Sequence, residues 1–345
     1  MIIGEHEIST DSPVYIVAEM SANHNMDFER AKEIIKAAAE AGADAIKIQT
    51  YTPDTITIDC KDECFRTQSK LWEGMTLYDL YQKAYTPWEW QEDLKEYAES
   101  LGIDFFSSPF DITAVDFLEK LNVIAYKIAS FEINDIPLIR KVASTGKPII
   151  ISTGIAYLED IELAIRTCRE QGNNNIVLLK CLSAYPAPFE EMNLRVIPNL
   201  GETFGCEVGL SDHSLGSETA IVAVTLGARM VEKHLTLSRE DGGADAAFSM
   251  EPDEFALMVK QIRNVEKALG KVTYQLTPKQ VEQREGSRSL FIVRDVKKGE
   301  RFTTENVKSI RPGIGLHTKY YEEILGRKAK EDFNLGTPLS WDKIE

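Results

Sequence analysis

Cysteine is scarce and oddly counted. The chain of 345 residues holds five, Cys60, Cys64, Cys168, Cys181 and Cys206, with no C-x-x-C spacing and no second pair to match Cys60 and Cys64. That argues against a disulfide framework and against a structural zinc site, and it suits free thiols in a reducing compartment. Basic residues are the minority, 39 Lys and Arg against 55 Asp and Glu, for a formal net charge of −16. Such a balance argues against a nucleic acid or an anionic membrane as partner. It leaves room for an anionic small molecule, because a few local cations can decide a pocket. No apolar run approaches the ~18 residues of a membrane span. The opening MIIGEHEIST carries charge within its first seven residues and has no signal-peptide core, so a cytoplasmic protein is expected. A glycine-rich dinucleotide loop is also missing: the first strong apolar strand runs into EMSANHN.

What is present is a regular alternation. A hairpin-like start precedes apolar runs at 14–20, 45–51, 103–109, 125–131, 148–154, 176–181, 207–213 and 230–236. Helical segments follow at 27–41, 88–101, 111–121, 136–144, 158–171, near 194–204, 217–227 and 252–269. The apolar runs are continuous, as for strands covered on both faces. Eight strand–helix units over residues 1–270 predict an α/β fold, a (β/α)8 TIM barrel. A doubly wound open sheet is the competing topology, and the missing glycine loop weighs against it. Residues 52–86, with Trp72, Tyr78, Tyr81 and Tyr85, read as a long, partly helical loop of the functional or capping kind. Residues 271–286 are polar and aperiodic and read as a linker. From 287 to 345 the texture changes to short strands with many glycines, a small second domain.

In such a barrel the chemistry sits at the C-terminal ends of the strands. Those ends carry Glu19, Lys47, Gln49, Ser107, Ser108, Lys127, Ser130, Ser152 and Thr153. Ser183 and Tyr185 follow the sixth strand, Ser211, Asp212 and His213 end the seventh, and Glu232, Lys233 and His234 end the eighth. A lysine inside an apolar strand is costly unless it is paired or faces a ligand. Two of them with several strand-end hydroxyls suggest a cradle for a phosphate or carboxylate. His213 and His234 fall at the same ends of neighbouring parallel strands, a spacing that suits a labile divalent cation, Mn²⁺ or Mg²⁺, with oxygen donors filling the other positions. Glu19 could hold a sugar hydroxyl or move a proton, and a salt bridge to Lys47 is the structural alternative. Tyr185 reads equally as an aromatic lid, Asp245 as a turn residue, and Arg311 as an exposed surface cation.

The motifs AEMSANHN, AIKIQTY, FSSPFD, YKIASFE, ISTG, SAYPAP, GLSDHSLG and EKHLT, with the tail SRSLFIVRDVKKGE…IRPG, resemble the sialic acid (nonulosonate) synthase family nearly end to end. SANHN, LWEGMTLYDLYQKAYTPWEW and DGGADAAFSM resemble its pseudaminic acid branch more than its N-acetylneuraminate branch. The resemblance implies a barrel followed by an antifreeze-like (SAF) domain. It implies condensation of phosphoenolpyruvate with an open-chain acetamido sugar aldehyde, 2,4-diacetamido-2,4,6-trideoxy-altrose in that branch, to a nine-carbon 2-keto sugar acid and phosphate. Lys47, Gln49, Ser108, Lys127, Ser130, Ser152, Ser183 and Ser211 would hold phosphoenolpyruvate. His213 and His234 would bind the metal. Glu19, Tyr185 and Asp245 would face the sugar, and Arg311 would enter the other subunit's site in a domain-swapped homodimer. The sequence departs from the family at Met26, where glycine is common, at Leu182, at Ser183 and at Ala244. Legionaminate or N-acetylneuraminate synthesis, or a barrel aldolase, are the competing activities. A carbohydrate-binding module on a vestigial barrel is opposed by the intact strand-end charges.

Overall fold

A computed structural model of the chain describes residues 1–67 and 73–345 and divides it into two compact units, Met1–Gly270 and Lys271–Glu345. Trp72, read above as part of the long loop, lies outside the described residues. Among the described residues no helix is long and apolar enough to cross a membrane.

The first unit opens with an antiparallel pair, β1 (Ile2–Ile3) and β2 (His6–Glu7). Eight parallel strands follow: β3 (Tyr15–Glu19), β4 (Ala45–Thr50), β5 (Asp104–Pro109), β6 (Tyr126–Ile128), β7 (Ile149–Ser152), β8 (Ile176–Cys181), β9 (Glu207–Asp212) and β10 (Met230–His234). They close in chain order, β10 pairing with both β9 and β3. The expected barrel is the observed one. Its outer helices are α1 (Phe28–Glu40), α4 (Gln91–Ser100), α5 (Ile112–Lys120), α6 (Ile136–Ala143), α7 (Leu158–Glu170), α8 (Val196–Phe204), α9 (Glu218–Thr225) and α10 (Pro252–Leu269). Two shorter helices, α2 (Pro53–Ile56) and α3 (Leu77–Ala84), break up the loop after β4. Several helices start where a carboxylate satisfies free backbone N–H groups: Asp27 accepts from Glu29 and Arg30, Asp111 from Thr113 and Ala114, and Asp135 from Leu138.

Strand parity sorts the side chains into two cores. Tyr15, Val17, Ala45, Phe106, Ala125, Ile150, Val177, Leu179 and Met230 fill the barrel interior, and Ile3 and Ile8 from the opening hairpin join them. Their sequence neighbours Ile16, Ala18, Ile46, Ile48, Phe105, Tyr126, Ile128 and Val231 face the helices. A side-chain period of two then fixes which strand-end residues reach the mouth.

In the second unit, β11 (Ser289–Ile292) pairs antiparallel with β12 (Val307–Ile310). Leu290, Ile292, Val296, Phe302, Val307, Phe333 and Ile344 form its core, with the short α12 (Tyr321–Ile324) alongside. The segment read as an aperiodic linker contains a helix, α11 (Pro278–Arg284). Thr277 and Gln280 cap it reciprocally and Pro278 opens it, so local capping rather than an apolar face specifies it.

Candidate active site

Continuing each strand's inward parity past its apolar residues gives Glu19 on β3, Lys47 and Gln49 on β4, Ser108 on β5, Lys127 on β6, Ser152 on β7, Ser211 on β9, and Glu232 and His234 on β10. Register makes neighbours of several: His234 lies beside Glu19, Glu19 beside Lys47, Gln49 beside Ser108, and Glu232 beside Ser211. Asp212 and Lys233 have the opposite parity. Read from sequence as mouth residues, they point outward instead. There Lys233 Nζ lies 2.7 Å from Asp212, and Thr219 and Ser214 donate to the same carboxylate. Ser107 and Thr153 also leave the mouth, donating to the Ile48 and Leu179 carbonyls.

Two buried lysines and two buried carboxylates form the floor. Lys47 Nζ is 2.6 Å from Glu19 Oε2 and 3.3 Å from Glu232 Oε1, and Lys127 Nζ is 3.0 Å from the same Glu232 oxygen. Lys47 also donates to Ser108 (3.3 Å) and Ser211 donates to Glu232 (3.4 Å). Burial alone would push Glu232 up. The ammonium groups of Lys127 and Lys47 overcome it and hold the carboxyl down at about 2. Burial likewise works against the Lys47 ammonium, and Glu19 and Glu232 more than restore its proton affinity. The salt bridge that competed with a sugar-facing Glu19 is therefore present, within the mouth itself. Glu232 bridges both lysines, and sequence reading gave it no role; its parity with His234 was the available signal.

Beyond Lys127 the backbone turns through a 3-10 segment, Ser130–Glu132. Ser183 Oγ donates to Ser130 Oγ at 2.9 Å, and the Ile155 N–H donates to the same hydroxyl at 3.1 Å. Ser152 Oγ is buried without a partner. Gly154 permits this convergence: a Cβ there would sit 2.6 Å from Ser130 Oγ and 2.9 Å from Cys181 Sγ, and would collide with Ser183 Oγ. Such a group of hydroxyls beside two ammoniums suits an anion. Glu132, another residue the sequence reading passed over, has one carboxyl oxygen buried with no partner. Burial first, and Asp135 second, push it up to about 7. A carboxyl titrating there can take or give a proton at neutral pH.

His213 and His234 come together as expected, with ring centroids 5.3 Å apart. The Leu182 carbonyl lies 3.0 Å from His213 Nδ1. A carbonyl only accepts, so Nδ1 carries a proton, which leaves Nε2 as the nitrogen able to ligate once the ring is neutral. His234 Nδ1 is buried with no partner. Burial, then the neighbouring His213, Lys47 and Lys127, hold that ring well below its ordinary range and so neutral. Two imidazoles with free lone pairs fit a divalent cation. Among the described residues no third His, Cys, Asp or Glu completes a protein-only cluster, so the remaining positions would be oxygens of substrate or water. Phe248, also missed, packs against His234 (5.0 Å) and Tyr185 (5.0 Å), and Tyr185 lies 4.5 Å from His213. These rings wall the histidine side.

On the β3–β4 side, Gln49 Nε2 donates to Glu19 Oε1 (3.1 Å) and to Ser21 Oγ (2.9 Å). Ser21 in turn donates to the half-buried Asp245, which also accepts from the Ala22 N–H at 3.4 Å. Gln49 therefore turns away from the lysine cradle and toward Asp245, which takes part in a buried network beyond a simple turn. Arg311 belongs to the second unit, where it is exposed just after β12.

Residues 34–274 match the NeuB family, and residues 287–345 match the SAF domain. The chain is 49% identical to the pseudaminic acid synthase of Helicobacter pylori over 96% of its own length and 98% of that protein's. It is 36% identical to the N,N'-diacetyllegionaminic acid synthase of Legionella pneumophila, covering 96% and 94% of the two chains. The crystal structure of an N-acetylneuraminic acid synthetase from Leptospira borgpetersenii superposes with a TM-score of 0.73 at 32% identity, over 82% of this chain and 94% of that one. The barrel, its charged mouth and these likenesses together make the chain a member of the NeuB family, ending in a SAF domain.

Proposed function

We propose that the protein condenses phosphoenolpyruvate with an open-chain diacetamido sugar aldehyde, giving a nine-carbon 2-keto sugar acid and phosphate, as a pseudaminic acid synthase. One observation carries the reading: two buried lysines, each on a carboxylate, share a barrel mouth with two free-faced histidines, in a chain about half identical to pseudaminic acid synthases. Lys47 and Lys127 would take the carboxylate and phosphate charges of phosphoenolpyruvate, with Ser108, Ser130, Ser152, Ser183 and Ser211 donating to its oxygens. Glu19, Gln49, Tyr185 and Asp245 would line the sugar side.

In the balanced reaction, C3 of phosphoenolpyruvate bonds to the aldehyde carbon and a water adds at C2. The C2–O bond to phosphorus then breaks, and the water's protons end on the new hydroxyl and the departing phosphate. Held on His213 and His234, Mn²⁺ or Mg²⁺ would supply Lewis-acid polarisation of the aldehyde. The lysines hold the anion against the strand ends, and Glu19 and Glu132 are the carboxyls placed to move protons.

Incubation with phosphoenolpyruvate and pseudaminic-, legionaminic- or mannosamine-type precursors, each alone, tests this through phosphate release and product mass. The diacetamido altrose aldehyde should give the fastest release and a product one phosphoenolpyruvate-derived C3 unit heavier. Turnover confined to another precursor would overturn the acceptor. Chelation should abolish release and Mn²⁺ restore it. If His234→Ala kept full cation-dependent release, the histidine assignment would fail.

A further inference from the structure

Ser21 adopts a backbone conformation that serine avoids. Its φ is +46°, in the left-handed region where a Cβ is strained. Two nearby residues, Asn25 and Met26, are also left-handed. Asparagine tolerates that geometry, and Met26 is partly exposed; glycine would suit its position. Ser21 differs from both because it is buried, at 3% exposure, and its hydroxyl is fully used.

The bonding there has a direction. Glu19 is a carboxylate on Lys47, so the Gln49 amide must offer it Nε2 rather than Oε1. The same Nε2 donates to Ser21 Oγ, which leaves the serine proton for Asp245 Oδ2. The chain Gln49 to Ser21 to Asp245 fixes both ends. Gln49 is left with a carbonyl oxygen free to accept, and Asp245 with its second carboxyl oxygen. Acceptors held in one hydrogen-bonded chain suit a ligand rich in donors, the hydroxyl and amide N–H groups of an acetamido sugar, over the anionic phosphoenolpyruvate.

We propose that Ser21 is a positioning residue for the acceptor sugar: its hydroxyl locks Gln49 and Asp245 into an acceptor-only wall, and the strained backbone is the cost of placing it there. The inference deepens the proposed condensation and rests on it.

Three variants separate hydroxyl from backbone. Ser21→Ala removes the hydroxyl and keeps the strain, Ser21→Gly removes both, and Ser21→Thr keeps the hydroxyl. Ala and Gly should each raise KM for the sugar about tenfold, the size of one lost hydrogen bond to a charged group, with KM for phosphoenolpyruvate unchanged. Thr should retain the sugar KM better than either. Gly should melt above Ala, since the two differ only in the strained Cβ. Removing the serine donor lets burial push Asp245 further up, so the acid limb of kcat/KM for the sugar should move to higher pH in Ala and Gly. Wild-type kinetics in Ser21→Gly, or equal losses for both substrates, would overturn the proposal. Absence of turnover by the wild-type protein itself would instead strike the condensation reading.

Discussion

Glu132 carries the sharpest test at the scale of a single residue. Burial raises its carboxyl from the ordinary range to about 7. Between those values the folded protein holds a proton that the unfolded chain has lost, so stability falls as pH rises through the window and levels off above it. Glu132→Gln has no charge to bury. Its urea midpoint should match wild type near pH 4.5 and exceed it at pH 8; equal midpoints at pH 8 would show that the carboxyl finds a partner. Residues of this kind were hard to read in the sequence. Lys47, Lys127, His213 and His234 announce themselves as polar groups inside apolar runs. Glu132 sits past the end of β6 in YKIASFE, where a 3-10 turn resets the side-chain direction and no period predicts where it points. Phe248 looked like one more apolar residue in a loop.

Among elements, the turn after β7 is tightly constrained. Gly154 is held there by the approach of Ser130, Ser183 and Cys181 rather than by its own dihedral angles. Gly154→Ala must push apart the Ser183–Ser130 hydrogen bond, and it should raise KM for phosphoenolpyruvate about tenfold while leaving that for the sugar unchanged. An unchanged phosphoenolpyruvate KM would remove this turn from the anion cradle. The strands themselves were legible, since eight continuous apolar runs separated by helical segments leave few topologies. Parity was legible too, by counting in twos from Met230 to Glu232 to His234, and that count sends Lys233 outward to Asp212. The convergence of Ser130, Gly154 and Ser183 was beyond it. Three loops of different length bring them together, and no local pattern records that meeting. In the same way α11 is set by a capping box on an otherwise exposed helix, which a search for apolar periodicity passes over.

At the scale of the molecule, the barrel and the SAF domain have separate cores. Arg311 lies in the second, while every other candidate residue lies in the first. We propose that Arg311 serves the mouth of a second copy. Mixing inactive Arg311→Ala and Lys127→Ala subunits should then restore part of the activity, and confirmed mixed oligomers without recovery would rule the sharing out. The floor of the barrel has its own consequence for the whole. Lys47 and Lys127 are already cancelled by Glu19 and Glu232 before any ligand arrives, in a chain of net charge −16. A multiply charged anion entering that balanced set brings a surplus that no side chain there offsets. Loading the enzyme is therefore a matter of charge import: Glu19 and Glu132, both raised by burial, should take up protons as the anion enters, and its affinity should weaken as pH rises.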